Sequence, residues 1–343
     1  MSWAEPPKRV VVMWDDTPAT SLTLLQHGLQ RELKLRGVPA VHRGRLSLQR
    51  GVARVLGRAR LIRPLFPRRG RRSVTVLSWA SEARTFPDSY WREPVPWIFD
   101  CWEPQFAAWE RLLIRHRVQT AFFSARQAAA YFSERIAGLR THWLPEACRP
   151  ELYAGQRPLI ERECVVLELG RKWNRLHERI REPLARAGIR HLYSDPGGGK
   201  MLFTDLSALI SGLGNSAIML CFPRSTTHPA EAGRIETMTQ RYLEGIASGC
   251  LIVGRAPREL VDLFGFDPVV PLRMDEPLQH LLEIIGQLPQ FQEQVQRAHR
   301  RLLEVGTFAQ RAEAMLKVLN EEAAGQSARI LPLPPKASNS SNR

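Results

Sequence analysis

Apolar residues occur along this chain in short continuous runs that alternate with longer stretches of helical spacing. The runs Arg9–Trp14, Ser73–Leu77, Trp97–Phe99 and Thr120–Phe123 have the apolar content of buried strands. Leucines three or four positions apart predict a helix from Ser21 to about Arg36. Strands that alternate with helices favour a parallel sheet covered on both faces, so the sequence predicts an α/β fold.

The same alternation restarts after a proline-rich segment without periodicity, residues 145–162. Beyond it, strands are predicted at Cys164–Leu169, Arg190–Tyr193 and Ala217–Phe222, with helices between them, the second of which spans Met201–Leu213. We therefore expect two domains and a tail rich in proline, serine and asparagine. The expected ranges are 1–150 for the first domain, 151–325 for the second, and 326–343 for a disordered tail.

One stretch of the second half, RIETMTQRYLEGIASGCLIVG, places two carboxylates around the start of a short helix. Glu236 precedes this helix and Glu244 lies within it. Thr237 or Thr239 can cap it, and Gly249 fits the left-handed position that ends it. The backbone N–H groups at a helix start attract anions. A nucleotide-sugar fits this arrangement, with its diphosphate on the N–H groups and its sugar hydroxyls on the carboxylates.

The balance of charge is strongly basic, because 49 Lys and Arg stand against 34 Asp and Glu in 343 residues, a formal net charge of +15. Such a balance favours anionic partners: nucleic acid, phosphorylated small molecules or an anionic membrane face. The five cysteines form neither a CxxC pair nor a Cys/His cluster, so no thiol metal site is predicted, and their odd number suits a reducing compartment. Without a signal peptide or an apolar segment of membrane-spanning length, we expect a cytoplasmic protein.

The spacing Glu236-x7-Glu244, the glycine that ends the helix and the strand that follows resemble the EX7E region of the GT-B glycosyltransferases. The resemblance is to the family-4-like proteins, or glycosyl transferases group 1, of bacterial polysaccharide or natural-product clusters. It covers residues 221–270, and the final helices resemble the tail of those proteins. It implies two Rossmann-like domains that face a cleft, with C-terminal helices, and an enzyme that moves a sugar from a nucleotide-diphosphate sugar to an acceptor.

The resemblance also implies roles for individual residues. Glu244 matches the glutamate that binds the donor ribose, and Glu236 matches the glutamate near the transferred sugar, which makes it a catalytic candidate. Asp100 matches an acidic element at a strand end in the first domain and is the second catalytic candidate. The candidates for binding the donor diphosphate are Thr237, Thr239, Arg171, Arg175 and Arg224, with Lys172 as an alternative to Arg175.

The chemistry that the resemblance implies is a retaining transfer, in which the leaving phosphate helps to deprotonate the acceptor. The sequence has no Asp-x-Asp of the kind that holds a divalent ion on a diphosphate, so no metal is implied. The expected donor is a UDP-sugar or a GDP-sugar, with no tightly bound cofactor. The expected acceptor is a glycan, a lipid-linked molecule or a small natural product.

Each candidate residue has a structural alternative. Glu236 and Glu244 could be solvated acids of a helix face, with Arg241 paired to Glu244. Asp100 could cap a helix that begins near Glu103. The arginine candidates could be surface residues of an amphipathic helix.

The arginine-rich segment 51–72 intersperses its arginines with apolar residues, as interfacial basic helices do. It predicts peripheral binding at the inner face of a membrane, and a solvated loop is the alternative. Since Phe66 is its one aromatic residue and the chain lacks a known nucleic-acid motif, nucleic acid is not an expected partner. Two rival functions remain, a basic α/β module that binds a polyanion through residues 31–72 and a non-catalytic glycosyltransferase-like scaffold.

Overall fold

The computed structural model describes residues 10–14, 24–42, 71–77, 92–153, 157–170, 172–194 and 202–325. In this part of the chain, strands form two parallel sheets and alternate with helices along the sequence. The α/β fold predicted from the sequence is therefore confirmed. Arg171, residues 51–70 of the arginine-rich segment and the predicted tail at 326–343 lie outside the described residues.

The elements are numbered here in chain order. The strands are β1 Val10–Trp14, β2 Ala40–His42, β3 Arg72–Leu77, β4 Glu93–Ile98, β5 Thr120–Phe123, β6 Arg140–Trp143, β7 Cys164–Glu168, β8 His191–Tyr193, β9 Ser216–Cys221, β10 Leu251–Gly254 and β11 Val269–Pro271. The helices of more than one turn are α1 Leu24–Leu35, α2 Phe106–Arg115, α3 Arg126–Arg135, α4 Asn174–Arg186, α5 Leu206–Gly214, α6 Gln240–Ala247, α7 Arg258–Phe264, α8 Pro277–Gly286, α9 Gln292–Val305 and α10 Phe308–Ala323. Single helical turns lie at Arg224–Thr227 and Pro229–Ala232, and 3-10 turns at Glu103–Gln105, Pro150–Tyr153, Leu159–Glu161 and Leu288–Phe291.

The described residues divide into two compact units. The first contains strands β1–β6, the segment Ala230–Ile235 and helix α10. The second contains strands β7–β11 and helices α4–α9. Helix α10 packs against α1, where Gly28 leaves room for the ring of Phe308; a Cβ at Gly28 would lie 2.3 Å from that ring. The linear domain boundaries drawn from the sequence stay a prediction.

The first sheet has the order β2-β1-β3-β4-β5-β6, with all neighbours parallel. Its strand β4 contains Pro94 and Pro96, which cannot donate to a neighbouring strand. The backbone N–H of Glu93 donates to Arg71 and that of Phe99 donates to Leu77, so the odd-numbered positions bond toward β3. The prolines therefore face the side of β5, where pairing begins only at Trp97 and Ile98. Because prolines within a run argue against a strand, the sequence pattern predicts this strand only from Trp97 onward.

A buried ion network lies where strands of the first sheet begin. The carboxylate of Glu322, in α10, is 2.8 Å from Arg72 Nη1, 2.6 Å from Arg140 Nε and 2.8 Å from Thr120 Oγ1. His142 Nε2 lies 3.6 Å away. Burial alone would raise the pKa of Glu322, but the contacts with His142, Arg140 and Thr120 lower it to about 2. The network stabilises the first unit and gives Arg72, one end of the arginine-rich segment, a structural role.

The second sheet has the order β11-β10-β9-β7-β8 and is also parallel. Strands β9 and β10 are buried along their whole length, as expected for a parallel sheet with helices on both faces. From β7 the chain passes to β8 on one side and then to β9 on the other. The carboxyl ends of β7 and β9 therefore form the point at which the strand order reverses.

The sequence pattern predicted most elements close to their observed bounds, with two further differences besides the late start of β4. Strand β6, with the sequence RTHW, is an edge strand that was not predicted, because its polar residues do not form an apolar run. The helix predicted from Met201 begins at Leu206, because the side chain of Asp205 caps it by accepting the N–H of Ala208 at 2.8 Å. In the described part of the chain, no helix has both the length and the apolar character needed to cross a membrane.

Candidate functional site

The carboxyl edge of the second sheet carries the loops that follow three neighbouring strands. Gly170 comes after β7, Arg224 after β9, and Arg255 directly after β10. Ligands of open α/β sheets bind at this edge, beside the point where the strand order reverses. Gly254 brings β10 close to β9. Its φ is 143°, and a Cβ there would lie 2.0 Å from the carbonyl oxygen of Cys221. The geometry of this edge therefore requires glycine at position 254.

Helix α6 begins at the same edge, because it connects β9 to the parallel strand β10. Thr239 holds the N-cap position, as predicted, with extended backbone, but its side chain makes no capping hydrogen bond. The helix ends before Gly249, whose φ of 69° is the left-handed conformation expected from the sequence. The first N–H groups of α6 thus face the edge where loops from three strands gather.

Glu244 is a buried carboxylate in α6, with 5% of its surface exposed. Tyr153 Oη donates a hydrogen bond of 3.1 Å to its Oε1. Burial raises the pKa of Glu244 to about 7, against the smaller opposing effects of Tyr153 and Arg241. The pKa of the Tyr153 hydroxyl is itself raised by burial and by Glu244, which keeps that hydroxyl a donor. The alternative of a solvated helix-face acid is therefore wrong for Glu244.

Glu236 lies just before α6 and accepts hydrogen bonds from two residues beyond β10. Arg255 Nη2 is 2.6 Å from its Oε2, and the backbone N–H of Arg258 is 3.3 Å from its Oε1. The same Arg255 nitrogen contacts Thr226 Oγ1 at 2.7 Å. With 27% of its side chain exposed, Glu236 is held in one place yet open to solvent. The carboxylate can therefore meet a ligand without rearrangement of its neighbours.

A second buried acid, Glu259 in α7, holds the segment between the two predicted glutamates. Its Oε2 accepts the hydroxyl of Thr237 at 2.8 Å and the backbone N–H of Met238 at 3.3 Å. Only 3% of Thr237 and 5% of Glu259 are exposed. Thr237 is therefore an internal anchor of this loop, and a diphosphate would compete with Glu259 for the Met238 amide.

One positive side chain, that of Arg241, contacts the loop after β7. Arg241 Nη1 donates to the carbonyl oxygen of Leu169 at 3.1 Å. Gly170 has a φ of 76°, and a Cβ there would lie 3.0 Å from the guanidinium carbon of Arg241. Arg241 is thus bound to this loop, in contrast to the alternative that pairs it with Glu244. Of the arginine candidates in this unit, Arg224 is partly buried and Arg175 is exposed on α4.

Asp100 belongs to the first unit, where it follows β4. Its φ of 52° is uncommon for a residue with a side chain, although aspartate adopts it more readily than most, and strained residues cluster at functional sites. The N-cap position before Glu103 is held by Trp102, two residues later. The structure describes each unit by itself, so a joint role of Asp100 and Glu236 stays a prediction.

Sequence reasoning missed three residues that shape this site: Tyr153, Arg255 and Glu259. Arg255 could have been found from its place directly after a predicted strand, where parallel sheets bind ligands. Tyr153 is 91 positions away from Glu244, and no pattern in one sequence connects them. Glu259 carries no local pattern that separates it from a surface acid of a short helix.

No protein-family model matches the chain, and no curated protein matches it. Solved structures do. HepE from Anabaena, in complex with UDP and glucose, has a TM-score of 0.55 at 12% identity, over 91% of this chain and 99% of that one. A glycosyltransferase from Rickettsia africae ESF-5 has a TM-score of 0.50 at 12% identity, over 93% and 99%. A sucrose-phosphate synthase from Thermosynechococcus elongatus has a TM-score of 0.50 at 9% identity, over 74% of each chain.

Identities this low show a common fold. That fold is GT-B, in agreement with the two parallel sheets and the C-terminal helices. The two parallel α/β units and the C-terminal helices implied by the sequence resemblance are confirmed. The roles of single residues are not decided by it, because one fold supports many sites.

Proposed function

We propose that this protein is a glycosyltransferase whose second unit binds a nucleotide-diphosphate sugar, and that it transfers the sugar to an acceptor hydroxyl. The observation that carries the proposal is the pair Glu236 and Glu244 at the start of α6, beside the strand-order reversal of a GT-B fold. The EX7E resemblance assigns both residues to the donor, and the burial of Glu244 supports that assignment.

In this proposal Glu244 binds the ribose of the donor. An ionised carboxylate has room for about four hydrogen bonds. In the described residues its side chain accepts one, from Tyr153. Two ribose hydroxyls would fill two of the remaining positions and would restore the solvation that burial removes. The raised pKa of Glu244 is the physical cost of keeping this acceptor capacity for a ligand.

The diphosphate lies on the N–H groups at the start of α6, where the helix dipole favours negative charge. Arg224 and Arg255 follow strands at the same edge and would stabilise the charge that develops on the leaving group. Arg171, and Lys172 or Arg175, are the further candidates that the sequence resemblance implies for this role. Glu236, anchored by Arg255, lies beside the transferred sugar. Asp100 is proposed to act on the acceptor side.

The finer assignments rest on the family-4-like resemblance: retention of anomeric configuration, no metal requirement, and a glycan, lipid-linked or natural-product acceptor. UDP is the first donor base to test, because HepE was solved with UDP and with UDP-glucose, and GDP is the second. Contact with the inner face of a membrane through residues 51–72 is likewise proposed. Its test is co-sedimentation with vesicles that contain anionic lipid, compared with neutral vesicles.

The experiment that tests the donor site is a thermal-shift screen of the full chain with UDP, GDP, ADP, CMP and dTDP, with and without magnesium. A nucleotide at 100 times its Kd stabilises the folded state by about 2.7 kcal/mol, which raises the melting temperature by several degrees. Glu244→Gln should remove this rise. The matched control is Glu182→Gln on α4, whose side chain is 71% exposed and which should keep it.

The outcomes separate the rival functions. A rise with one nucleotide that is lost in Glu244→Gln and unchanged by magnesium supports the proposed donor site. Equal rises in wild type and Glu244→Gln would remove Glu244 from the site. No rise with any nucleotide, together with binding to DNA or RNA that weakens steeply with salt, would favour the polyanion-binding module. A selective nucleotide rise without any sugar transfer or donor hydrolysis would favour the scaffold.

A further inference from the structure

A second cluster of chemically active side chains lies in the second unit between the sheet and α4. Glu168 ends β7, His191 begins β8, and His177 is in the first turns of α4. The register pairs Val166 with His191 and Glu168 with Tyr193. Since alternate residues of a strand point to the same face, these four side chains share the face that α4 covers. The fold thus brings together three residues that no sequence motif connects.

The three side chains meet at one carboxylate oxygen. His177 Nδ1 is 2.6 Å from Glu168 Oε1, and His191 Nε2 is 2.9 Å from the same atom. The ligand atoms of the three residues all lie within 4.8 Å of one another. The exposed fraction of the side chain is 6% for Glu168, 7% for His177 and 4% for His191. The arrangement is a buried site with two imidazoles and one carboxylate.

Hydrogen bonds do not explain why the polar imidazole of His191 is buried here. Neither of its ring nitrogens has a hydrogen-bond partner among the described residues, although Nε2 lies 2.9 Å from Glu168 Oε1. That contact has the distance of a hydrogen bond without its direction. Leaving a buried polar group without a partner is unfavourable. In the tautomer that turns the lone pair of Nε2 toward the carboxylate oxygen, the two atoms repel each other, and a positive ion between them would remove this repulsion.

We propose that Glu168, His177 and His191 bind a zinc ion. Two imidazoles and one carboxylate, with a water in the fourth position, are a common donor set for this metal. Calcium and magnesium are disfavoured because they take oxygen ligands. Zinc bonds of about 2.0–2.2 Å place tetrahedral ligand atoms about 3.4 Å apart. The contacts of His177 and His191 to Glu168, now 2.6 Å and 2.9 Å, would therefore lengthen by about 0.8 Å and about 0.5 Å when the ion enters, a shift within reach of side-chain rotation.

Lys172 has to move when the ion binds. Its Nζ lies 3.4 Å from His177 Nε2 and 4.8 Å from the centre of the Tyr193 ring. Zinc on Nδ1 leaves the single proton of a neutral imidazole on Nε2, which then cannot accept a hydrogen bond from the ammonium. Lys172 also repels the ion by its charge. Lys172→Met should therefore tighten zinc binding by about tenfold or more, which a merely hydrogen-bonded cluster would not predict.

The test uses the full chain without a histidine tag, stripped with a chelator, and titrated with Zn²⁺ in competition with a chromophoric chelator. We expect one zinc per chain and no binding of Mg²⁺. His177→Gln and His191→Gln should each weaken binding by at least about 100-fold, more than loss of an outer contact usually costs. His299→Gln in α9, a half-buried histidine outside the cluster, is the matched control and should bind zinc as wild type does.

A measurement on the wild-type protein tests the proposal even if the variants fail to fold. Co²⁺ in place of Zn²⁺ gives visible ligand-field bands whose intensity identifies a four-coordinate site, and Zn²⁺ should displace it. Failure of the wild type to bind zinc, or a Co²⁺ spectrum of the fully hydrated ion, overturns the proposal. Undiminished zinc binding by His191→Gln overturns it as well. These results do not depend on whether nucleotides bind, so the donor-site proposal stands or falls separately.

Discussion

The raised pKa of Glu244 makes a quantitative prediction about how stability varies with pH. The folded-state pKa is about 7, and the ordinary value for glutamic acid is 4.5. Between these values the folded state holds a proton that the unfolded state has released. The stability from this group is therefore fully present below about pH 4.5 and is lost as the pH rises through about 7. Integration over this window gives a loss of about 2.5 kcal/mol between pH 5 and pH 8.

The perturbation is Glu244→Gln, which keeps the shape of the side chain and removes its titration. The free energy of unfolding of wild type minus that of the variant should fall by about 2.5 kcal/mol from pH 5 to pH 8. The assay is urea unfolding at four pH values and constant ionic strength. Because two units can unfold separately, the transition that the substitution shifts is the one to compare. Glu182→Gln, on the exposed face of α4, should give a constant difference.

Tyr153→Phe adds a second check on the same group. The Tyr153 hydroxyl lowers the pKa of Glu244 by its hydrogen bond, so its removal should move the window to higher pH. A difference between wild type and Glu244→Gln that stays constant with pH would refute the reasoning. A difference that grows with pH would show that Glu244 is ionised and paired in the folded state.

Three further predictions concern other parts of the chain. Glu322→Gln should destabilise the first unit at neutral pH, because a carboxyl whose pKa is lowered to about 2 contributes stability above about pH 4.5. This stability is lost as the pH falls, so the free energy of unfolding should decrease less steeply with acid in the variant than in the wild type. Gly254→Ala should cost about 3 kcal/mol or more from backbone strain and the contact with Cys221, measured as a lowered melting temperature. Glu259→Ala should weaken nucleotide binding because it releases the loop at Thr237, although we place Glu259 outside contact with the nucleotide. Calorimetric titration with UDP measures the affinity, and an unchanged affinity would contradict this role of Glu259.

The strands and helices could be predicted from the sequence because the two sheets are parallel and buried. In β9 and β10 nearly every residue is apolar, which makes the strand evident without knowledge of its neighbours. The same reasoning failed for β6, where Arg140 and Thr141 give an edge strand a polar pattern. It also predicted too late a start for β4, because prolines within a run argue against a strand. In the structure these prolines are acceptable, since they face the side of β4 where pairing with β5 is absent.

The candidate site could be predicted only where its residues are close in the chain. Glu236 and Glu244 lie eight positions apart, and the glycine after the helix supports the pattern. The partners that decide their chemistry are distant in sequence. Tyr153, which bonds to Glu244, and Glu259, which anchors Thr237, were brought there by packing. The pKa of a carboxylate depends on such contacts, so a single sequence contains no direct record of it.

The contrast between Glu322 and Glu244 gives a physical reason to separate a structural acid from a binding acid. Both side chains are almost fully buried, so desolvation acts on both. Around Glu322, arginine and hydroxyl groups fill the acceptor positions, and its pKa falls to about 2. Around Glu244, the described residues supply one neutral donor, Tyr153, and its pKa rises to about 7. The first arrangement stabilises the fold. The second costs stability at neutral pH, and a ligand that donates hydrogen bonds to Glu244 would recover it. A buried acid that weakens its own fold is a candidate for ligand binding, which is why we propose that Glu244 binds the donor.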